Sequence, residues 1–218
     1  MSPKPKDCGN HDDDDRQSLY KQLFFFFLGL IFLVLLAILV IWLVLRPTKP
    51  KFYLQDATVY GFNSSDGPAG STLTTTIQVT ISTRNPNDRI GIYYDKLDVY
   101  AAYHSQRITL ATAIPPSYQG HNDVIIWSPF LHGPAVPISP YLSLGLSQDQ
   151  TAGVLLLYVK LDGRLRWKVG SWTSGHYHVF ANCPALLSFG GRGGVASGGG
   201  AYSPVIRFQQ ISTCSVDV

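Results

Sequence analysis

The longest uninterrupted apolar stretch of the chain covers residues 23–45 and contains no charged residue, no proline and one glycine, Gly29. A helix of this length would reach about 34 Å at 1.5 Å per residue, whereas the hydrocarbon core of a bilayer is roughly 30 Å thick. Leu, Ile, Phe and Val each favour insertion by about 0.3 to 0.6 kcal/mol near the bilayer centre. The pattern therefore predicts a transmembrane helix over residues 23–45.

Two other interpretations of this stretch, a cleaved signal peptide and a soluble core helix, fit it less well. The apolar region of a signal peptide has about 7 to 15 residues and leads into small residues at the cleavage site. Here the stretch is longer, and bulky residues such as Trp42 occupy its C-terminal part. Soluble helices are rarely apolar on every face over such a length. We therefore expect an uncleaved single-pass anchor, with the lipid bilayer as its partner.

Beyond the anchor, the hydrophobic pattern changes from continuous to alternating. Between residues 73 and 82, positions on one side are mainly Leu, Ile and Val, whereas those on the other side are Thr, Gln and Ser. This period of two predicts a half-buried strand. Further strand patterns occur over residues 52–62, 92–103, 124–127, 177–183 and 202–218.

A hairpin is predicted over residues 154–169, because Asp162-Gly163 is typical of a two-residue turn between strands. A helix fits residues 137–146, with Ser139 as N-cap and Pro140 at the first helical position, although this stretch also fits a period of two. Roughly seven short strands with little helix predict a mainly β fold. We expect an antiparallel β-sandwich, immunoglobulin- or fibronectin-like, with at most one short helix.

Four regions follow from these patterns. Residues 1–22 are polar and carry too few apolar side chains to fold, so they predict a disordered cytosolic tail. The transmembrane helix comes next, and residues 46–51 form a stiff linker because two prolines block helix continuation. Residues 52–218 form the β-sandwich domain, with a flexible glycine-rich insert at residues 190–200.

Composition adds two constraints on the function of this 218-residue chain. Its formal net charge is +3, which is too small to indicate binding of nucleic acid. All fourteen acidic residues are Asp. Because Asp suits turns and Glu suits helices, this bias favours strands and loops.

Two features bear on the side of the membrane that the domain occupies, because the basic residues flanking the anchor do not decide it. Asn63-Ser64-Ser65 is a candidate glycosylation site in a polar loop, usable only on the lumenal side. Cys183 and Cys214 form an even pair that is either a disulfide or two reduced, buried thiols, whereas Cys8 stands alone in the tail. Both features favour a cytosolic N-terminus and a lumenal or extracellular domain.

The clearest candidate interaction surface is a basic stripe formed by Arg164, Arg166 and Lys168. These residues alternate along one predicted strand and therefore share a face, with Leu165 and Trp167 on the core side. Outside the cell, such a stripe could bind pectin carboxylates, lipid head groups or an acidic partner. The alternative is an ordinary solvated face.

Other residue patterns give no active site. His176 and His178 share a strand face but lack further ligands at metal spacing. The glycine-rich segment lacks the strand and Gly-Lys-Ser/Thr context of a phosphate loop, and no nucleophile elbow or zinc-protease motif occurs. The sequence predicts no catalytic residues, no cofactor and no metal site, and hence a protein that is not an enzyme.

Several motifs together resemble one family. They are residues 85–95 (NPNDRIGIYYD), 118–121 (YQGH), 166–170 (RWKVG) and 177–184 (YHVFANCP). In order and spacing they are similar to the plant harpin-induced-like (NHL) proteins, relatives of the non-race-specific disease resistance protein that carry a late-embryogenesis-abundant type 2 domain. The glycine-rich segment departs from the family's pattern.

The resemblance implies a β-sandwich with one short helix, anchored in the plasma membrane with the domain outward. It also implies a role in plant defence, including the hypersensitive response, or in stress responses, through unidentified protein partners. It supplies no catalytic residues. A second hypothesis is a tether between membrane and cell wall, in which the basic stripe binds acidic polysaccharide.

Overall fold

The computed structural model describes residues 11–44, 47–67, 70–189 and 206–218, which divide into two compact units, Met1–Arg46 and Pro47–Val218. The helices are α1 (His11–Val44) and α2 (Pro140–Ala152). The strands are β1 (Lys51–Gly67), β2 (Gly70–Arg84), β3 (Ile90–Tyr103), β4 (Gln106–Arg107), β5 (Thr112–Ile114), β6 (Ser117–Gln119), β7 (Val124–Trp127), β8 (Phe130–Ile138), β9 (Val154–Val169), β10 (Trp172–Thr173), β11 (Tyr177–Phe189), β12 (Ile206–Phe208), β13 (Ser212–Thr213) and β14 (Ser215–Asp217). The predicted glycine-rich insert and Cys8 lie outside the described residues.

Helix α1 begins earlier than predicted. It starts at His11, so residues 11–22, expected to be part of a disordered tail, are helical. Within this helix, Tyr20–Leu39 is long and apolar enough to cross a membrane. The apolar side chains of this segment lie exposed to their surroundings, as a lipid-facing helix requires.

The second unit consists of two antiparallel sheets, so the prediction of a mainly β antiparallel fold is confirmed. In the first sheet the strand order is β13-β1-β2-β7, with β8 also paired to β2. Strand β2 alternates buried and less buried positions, as its period of two predicted. The second sheet has the order β12-β11-β9-β3-β4, and four short strands, β5, β6, β10 and β14, complete it.

Apolar side chains from both sheets form one core. Phe52 of β1, Tyr94 of β3 and Trp127 of β7 pack together within it, with ring centroids 5.4 to 6.5 Å apart. Aromatic pairs at such separations add about 0.5 to 1.5 kcal/mol beyond the area that they bury. The core is therefore a shared product of distant parts of the chain.

The predicted hairpin turn at Asp162-Gly163 is wrong, because β9 runs through these residues as one continuous strand. Gly163 pairs with Leu97, and a Cβ atom at this position would collide with the carbonyl oxygen of Lys96. Strand β3 has a register shift between Tyr94 and Lys96, next to this contact. Gly163 therefore allows two strands to approach closely at a bulge and does not form a turn.

Helix α2 confirms the helical interpretation of its segment. Ser139 is the N-cap, and its hydroxyl oxygen accepts a hydrogen bond from the backbone N–H of Leu142 at 3.3 Å. Pro140 occupies the first helical position, as expected. The helix continues to Ala152, past the predicted end at residue 146, because Gly153 supplies the left-handed C-cap with φ 80°.

Candidate functional site

The basic stripe lies on the outer face of β9. Arg164 is exposed, and Arg166 and Lys168 are half-buried, whereas Leu165 and Trp167 point into the core. The three basic residues therefore share one face, as the alternation predicted. Their chemical states differ, because neighbouring strands provide different partners.

Arg166 is held by a carboxylate from β3. Its Nε donates to Oδ2 of Asp95 at 2.8 Å, and a second guanidinium N–H donates to Oδ1 of the same residue. These hydrogen bonds hold the pKa of Asp95 below its ordinary value. His176 lies on the other side of this carboxylate, with Nε2 at 3.5 Å from Oδ2. Arg166 is thus neutralised within the fold and contributes little free positive charge to the stripe.

Lys168 lies against two tyrosine rings. Its ammonium donates to the hydroxyl of Tyr93 at 3.1 Å, which raises the pKa of Lys168. The ammonium nitrogen is 5.4 Å from the ring centroid of Tyr93 and 5.3 Å from that of Tyr118. The two rings are 4.6 Å apart, and Tyr118 lies across Gly91, where any Cβ would collide with it. Side-chain stacking therefore positions this charge.

The three basic residues are therefore not equivalent along the stripe. Arg164 and Lys168 keep net positive charge, and the ring of Tyr118 is 47% exposed beside Lys168. A planar apolar ring next to an ammonium suits a ligand that combines a carboxylate with a flat apolar surface.

The candidate glycosylation residue Asn63 lies in a strand, and not in the loop that was expected. It belongs to β1 and pairs with Thr74 of β2 near the far end of their hairpin. Its side chain is exposed. The hydrophobic pattern missed this strand end because residues 63–66 are polar, and pairing with β2 extends it.

Cys183 and Cys214 are joined by a disulfide in the structure, with Cα atoms 4.2 Å apart. Both residues are buried. The bond links β11 to the segment between β13 and β14, and the backbone N–H of Cys214 also donates to the carbonyl oxygen of Phe52 in β1. The C-terminal segment is thereby attached to both sheets.

Asn85 and Asn87 form a clasp that the sequence did not predict. The backbone N–H of Thr48 donates to Oδ1 of Asn87 at 2.8 Å, and Nδ2 of Asn87 donates back to the carbonyl oxygen of Thr48 at 2.8 Å. Asn87 also donates to Oδ1 of Asn85, which is fully buried. One side-chain amide thus pairs both backbone groups of a residue 39 positions earlier.

The clasp continues into a buried polar network. Asn85 donates to the carbonyl oxygens of Ile90 and Gly120 at 2.7 and 2.8 Å. The neighbouring Gln119 accepts from the hydroxyl of Tyr94 at 3.0 Å, and burial raises the pKa of that tyrosine. The linker at Thr48 is therefore connected, bond by bond, to the sandwich core. The two Asn residues that flank Pro86 were the sequence signal for this network. Their partners, such as Thr48 and Gly120, lie 39 and 35 positions away, so the sequence could not identify them.

Comparisons with known proteins agree with this architecture. Residues 68–183 match the family model described as late embryogenesis abundant protein. NDR1/HIN1-like protein 1 of Arabidopsis thaliana is 49% identical to this chain, over 98% of this chain and 100% of that protein. NDR1/HIN1-like proteins 12 and 26 of the same plant are 45% and 38% identical, covering 98% and 85% of this chain and 99% and 87% of their own lengths. The chain therefore belongs to the NDR1/HIN1-like family and carries its late embryogenesis abundant domain.

Proposed function

We propose that this chain is a single-pass plasma-membrane protein that acts in plant defence, including the hypersensitive response, or in stress signalling. Its sandwich faces outward and acts by binding protein partners, without catalysis. Similarity to NDR1/HIN1-like protein 1 along 98% of the chain carries this proposal. The apolar helix supports the membrane anchor.

Two features of the domain support the outward orientation. The bond between Cys183 and Cys214 belongs to an oxidising compartment, since cytosolic thiols are kept reduced. Asn63 is exposed on a strand end, where the glycosylation machinery of the secretory pathway can reach it. Both features apply to the same side of the membrane.

Protease protection of the full chain in sealed plant microsomes tests the orientation. The domain is expected to resist protease until detergent opens the vesicles, and glycosidase is expected to shift the band of the native chain. An Asn63→Gln variant provides the matched control, because it should migrate like the deglycosylated chain. A domain cleaved in intact microsomes would place it in the cytosol and refute the outward orientation.

A loss-of-function plant tests the role itself. Disrupting the gene should weaken restriction of a pathogen or tolerance of a stress, and the native chain should restore it. A variant without residues 47–218 should fail to restore it, since the proposal assigns the activity to the sandwich. Full rescue by that variant would contradict the assignment.

The second candidate function is a tether that binds acidic polysaccharide of the cell wall. The observation that favours it is the ammonium of Lys168 beside the exposed ring of Tyr118, which together match a sugar ring that bears a carboxylate. Reversing the charge of Arg164 and Lys168 should abolish salt-sensitive binding of the full chain to pectin. The matched control is Arg107→Glu, an exposed arginine of β4 that packs over Tyr100. Equal pectin binding by all variants would reject the tether.

A further inference from the structure

The first strand of the sandwich begins only a few residues after the predicted anchor ends. The predicted anchor ends at residue 45 and β1 begins at Lys51, so the intervening residues reach at most roughly 20 Å when fully extended. Because β2 ends at Arg84 opposite Lys51, and β3 begins after the next loop, both sheets present strand ends here. We call the surface formed by residues 47–51, 84–89, 120–124 and 170–172 the anchor-proximal end.

Two like charges face each other at this end. Lys51 and Arg84 are directly opposite partners in the antiparallel pairing of β1 and β2, and both are exposed. Like charges at such positions destabilise a sheet, unless an anion lies between them. Among the residues that the structure describes, neither has an acidic partner within ion-pair distance. This pair therefore has the charge pattern of a surface that receives an external anion.

The acidic residues of the same end are already engaged in hydrogen bonds. Asp88 accepts from the side-chain amide of Asn122 at 2.8 Å, and Asp123 accepts from the backbone N–H of Val124 at 2.8 Å. Lys49 pairs with Asp217 at 3.4 Å. A shallow cavity of about 490 Å³ is lined by Lys49 and Lys51.

An exposed tryptophan lies at the same end. The turn between β9 and β10 places Trp172 opposite Val169, which itself pairs with the first residue of β3. Trp172 is 63% exposed, and Val124, the strand partner of Arg84, is 51% exposed. Tryptophan is enriched where membrane proteins meet the headgroup region, because its ring is apolar and its N–H is polar.

We propose that the anchor-proximal end docks on the surface of the bilayer that anchors the chain, with Lys51 and Arg84 on lipid phosphates and Trp172 among the headgroups. The clasp between Asn87 and Thr48 limits the linker to a few free residues, so the sandwich stays within reach of that surface. Lysine and arginine side chains near an anionic membrane surface are attracted to it. The proposal rests on the membrane anchoring of the proposed function, but it does not depend on which leaflet the domain faces.

Tryptophan quenching in the full chain, reconstituted into phosphatidylcholine nanodiscs, tests this docking. A Trp42→Phe background removes the tryptophan of the apolar helix, and a nitroxide on the lipid headgroup serves as quencher. We expect substantial quenching that disappears when Trp172→Phe is added. The matched control adds Tyr141→Trp to that double variant. Tyr141 is 76% exposed on α2, and this helix begins directly after the end of β8 that pairs with the start of β2. Residue 141 therefore lies at the opposite end of the sandwich from Trp172. This emitter should remain unquenched.

The cations are tested in nanodiscs that also contain phosphatidylserine. Lys51→Gln with Arg84→Gln should remove the salt-sensitive part of Trp172 quenching. Arg107→Gln with Lys160→Gln, which neutralises two cations on the second sheet, should leave it unchanged. Equal salt sensitivity in both double variants would overturn the assignment of Lys51 and Arg84.

Failure of docking and failure of anchoring give different results. Lipids brominated in their acyl chains should quench Trp42 in the Trp172→Phe variant, whose remaining Trp127 and Trp167 pack in the core, and this quenching reports insertion of the helix. If Trp42 is quenched but Trp172 is no more quenched than the Tyr141→Trp control, the docking proposal is refuted while the anchor stands. If Trp42 is not quenched, the anchor and the docking proposal both fall.

Discussion

The clasp between Asn87 and Thr48 yields the sharpest prediction about how the domain is connected to its linker. Asn87→Ala removes three hydrogen bonds: two with the backbone of Thr48, both at 2.8 Å, and one to Asn85 at 2.9 Å. The Oδ1 atom of Asn85 still accepts from the backbone N–H of residue 87 at 3.1 Å, so it is not left unpaired. Thr48 is exposed, so water can reach its freed backbone groups.

These details set the expected magnitude. A hydrogen bond whose partners can rehydrate contributes about 0.5 to 1.5 kcal/mol net. The two bonds to Thr48 therefore amount to about 2 kcal/mol. Because truncation of the buried amide also removes packing contacts, we expect Asn87→Ala to lower the free energy of unfolding by about 2 to 3 kcal/mol. Asn87→Asp should be at least as destabilising, since the carboxylate keeps one acceptor but loses both donors and faces the Oδ1 atom of Asn85.

Hydrogen–deuterium exchange combined with denaturant unfolding of the full chain measures this effect. In Asn87→Ala the amide of Thr48 should exchange much faster, by roughly 30-fold or more for about 2 kcal/mol of lost protection. Asn122→Gly is the matched control, because it removes the exposed side-chain hydrogen bond to Asp88 at a residue whose φ of 55° glycine adopts without strain, so it should cost less than about 0.5 kcal/mol. Unchanged Thr48 protection in Asn87→Ala, or equal effects of both variants, would refute the reasoning.

Three further predictions concern the sandwich. Replacing Cys183 and Cys214 by Ala should lower the free energy of unfolding by about 3.5 kcal/mol, because their bond spans 31 positions, and equal denaturation midpoints would contradict this. Because the pKa of Asp95 is lowered in the fold, its carboxylate stabilises the folded state above about pH 4, and this stabilisation is lost as the pH falls through the folded pKa. Asp95→Asn should therefore flatten the acidic part of a curve of unfolding free energy against pH. An unchanged slope would contradict this prediction. Gly163→Ala should destabilise by about 2 kcal/mol or more through collision with the β3 backbone, whereas Gly175→Ala, with open space at its Cβ, should change thermal stability little.

The basic stripe shows how far sequence reasoning about a surface extends. Alternation along one strand was enough to place Arg164, Arg166 and Lys168 on one face, because side-chain direction in a strand depends only on local backbone geometry. The alternation could not show which of these positive charges is neutralised by a partner. The carboxylate that neutralises Arg166 comes from Asp95, 71 positions earlier, and its position depends on the register between β3 and β9.

Local sequence patterns were enough to predict the apolar helix, the antiparallel β class and the N-cap of α2. Each depends on composition or periodicity within a short window, where the backbone responds to its own side chains. Three other features became visible only in the folded chain: Gly163 allows two strands to approach closely, Asn87 binds the backbone of Thr48, and Lys51 lies opposite Arg84. These features depend on contacts between segments far apart in the chain. Their geometry is set by strand register, which emerges only when both sheets bury their apolar faces together.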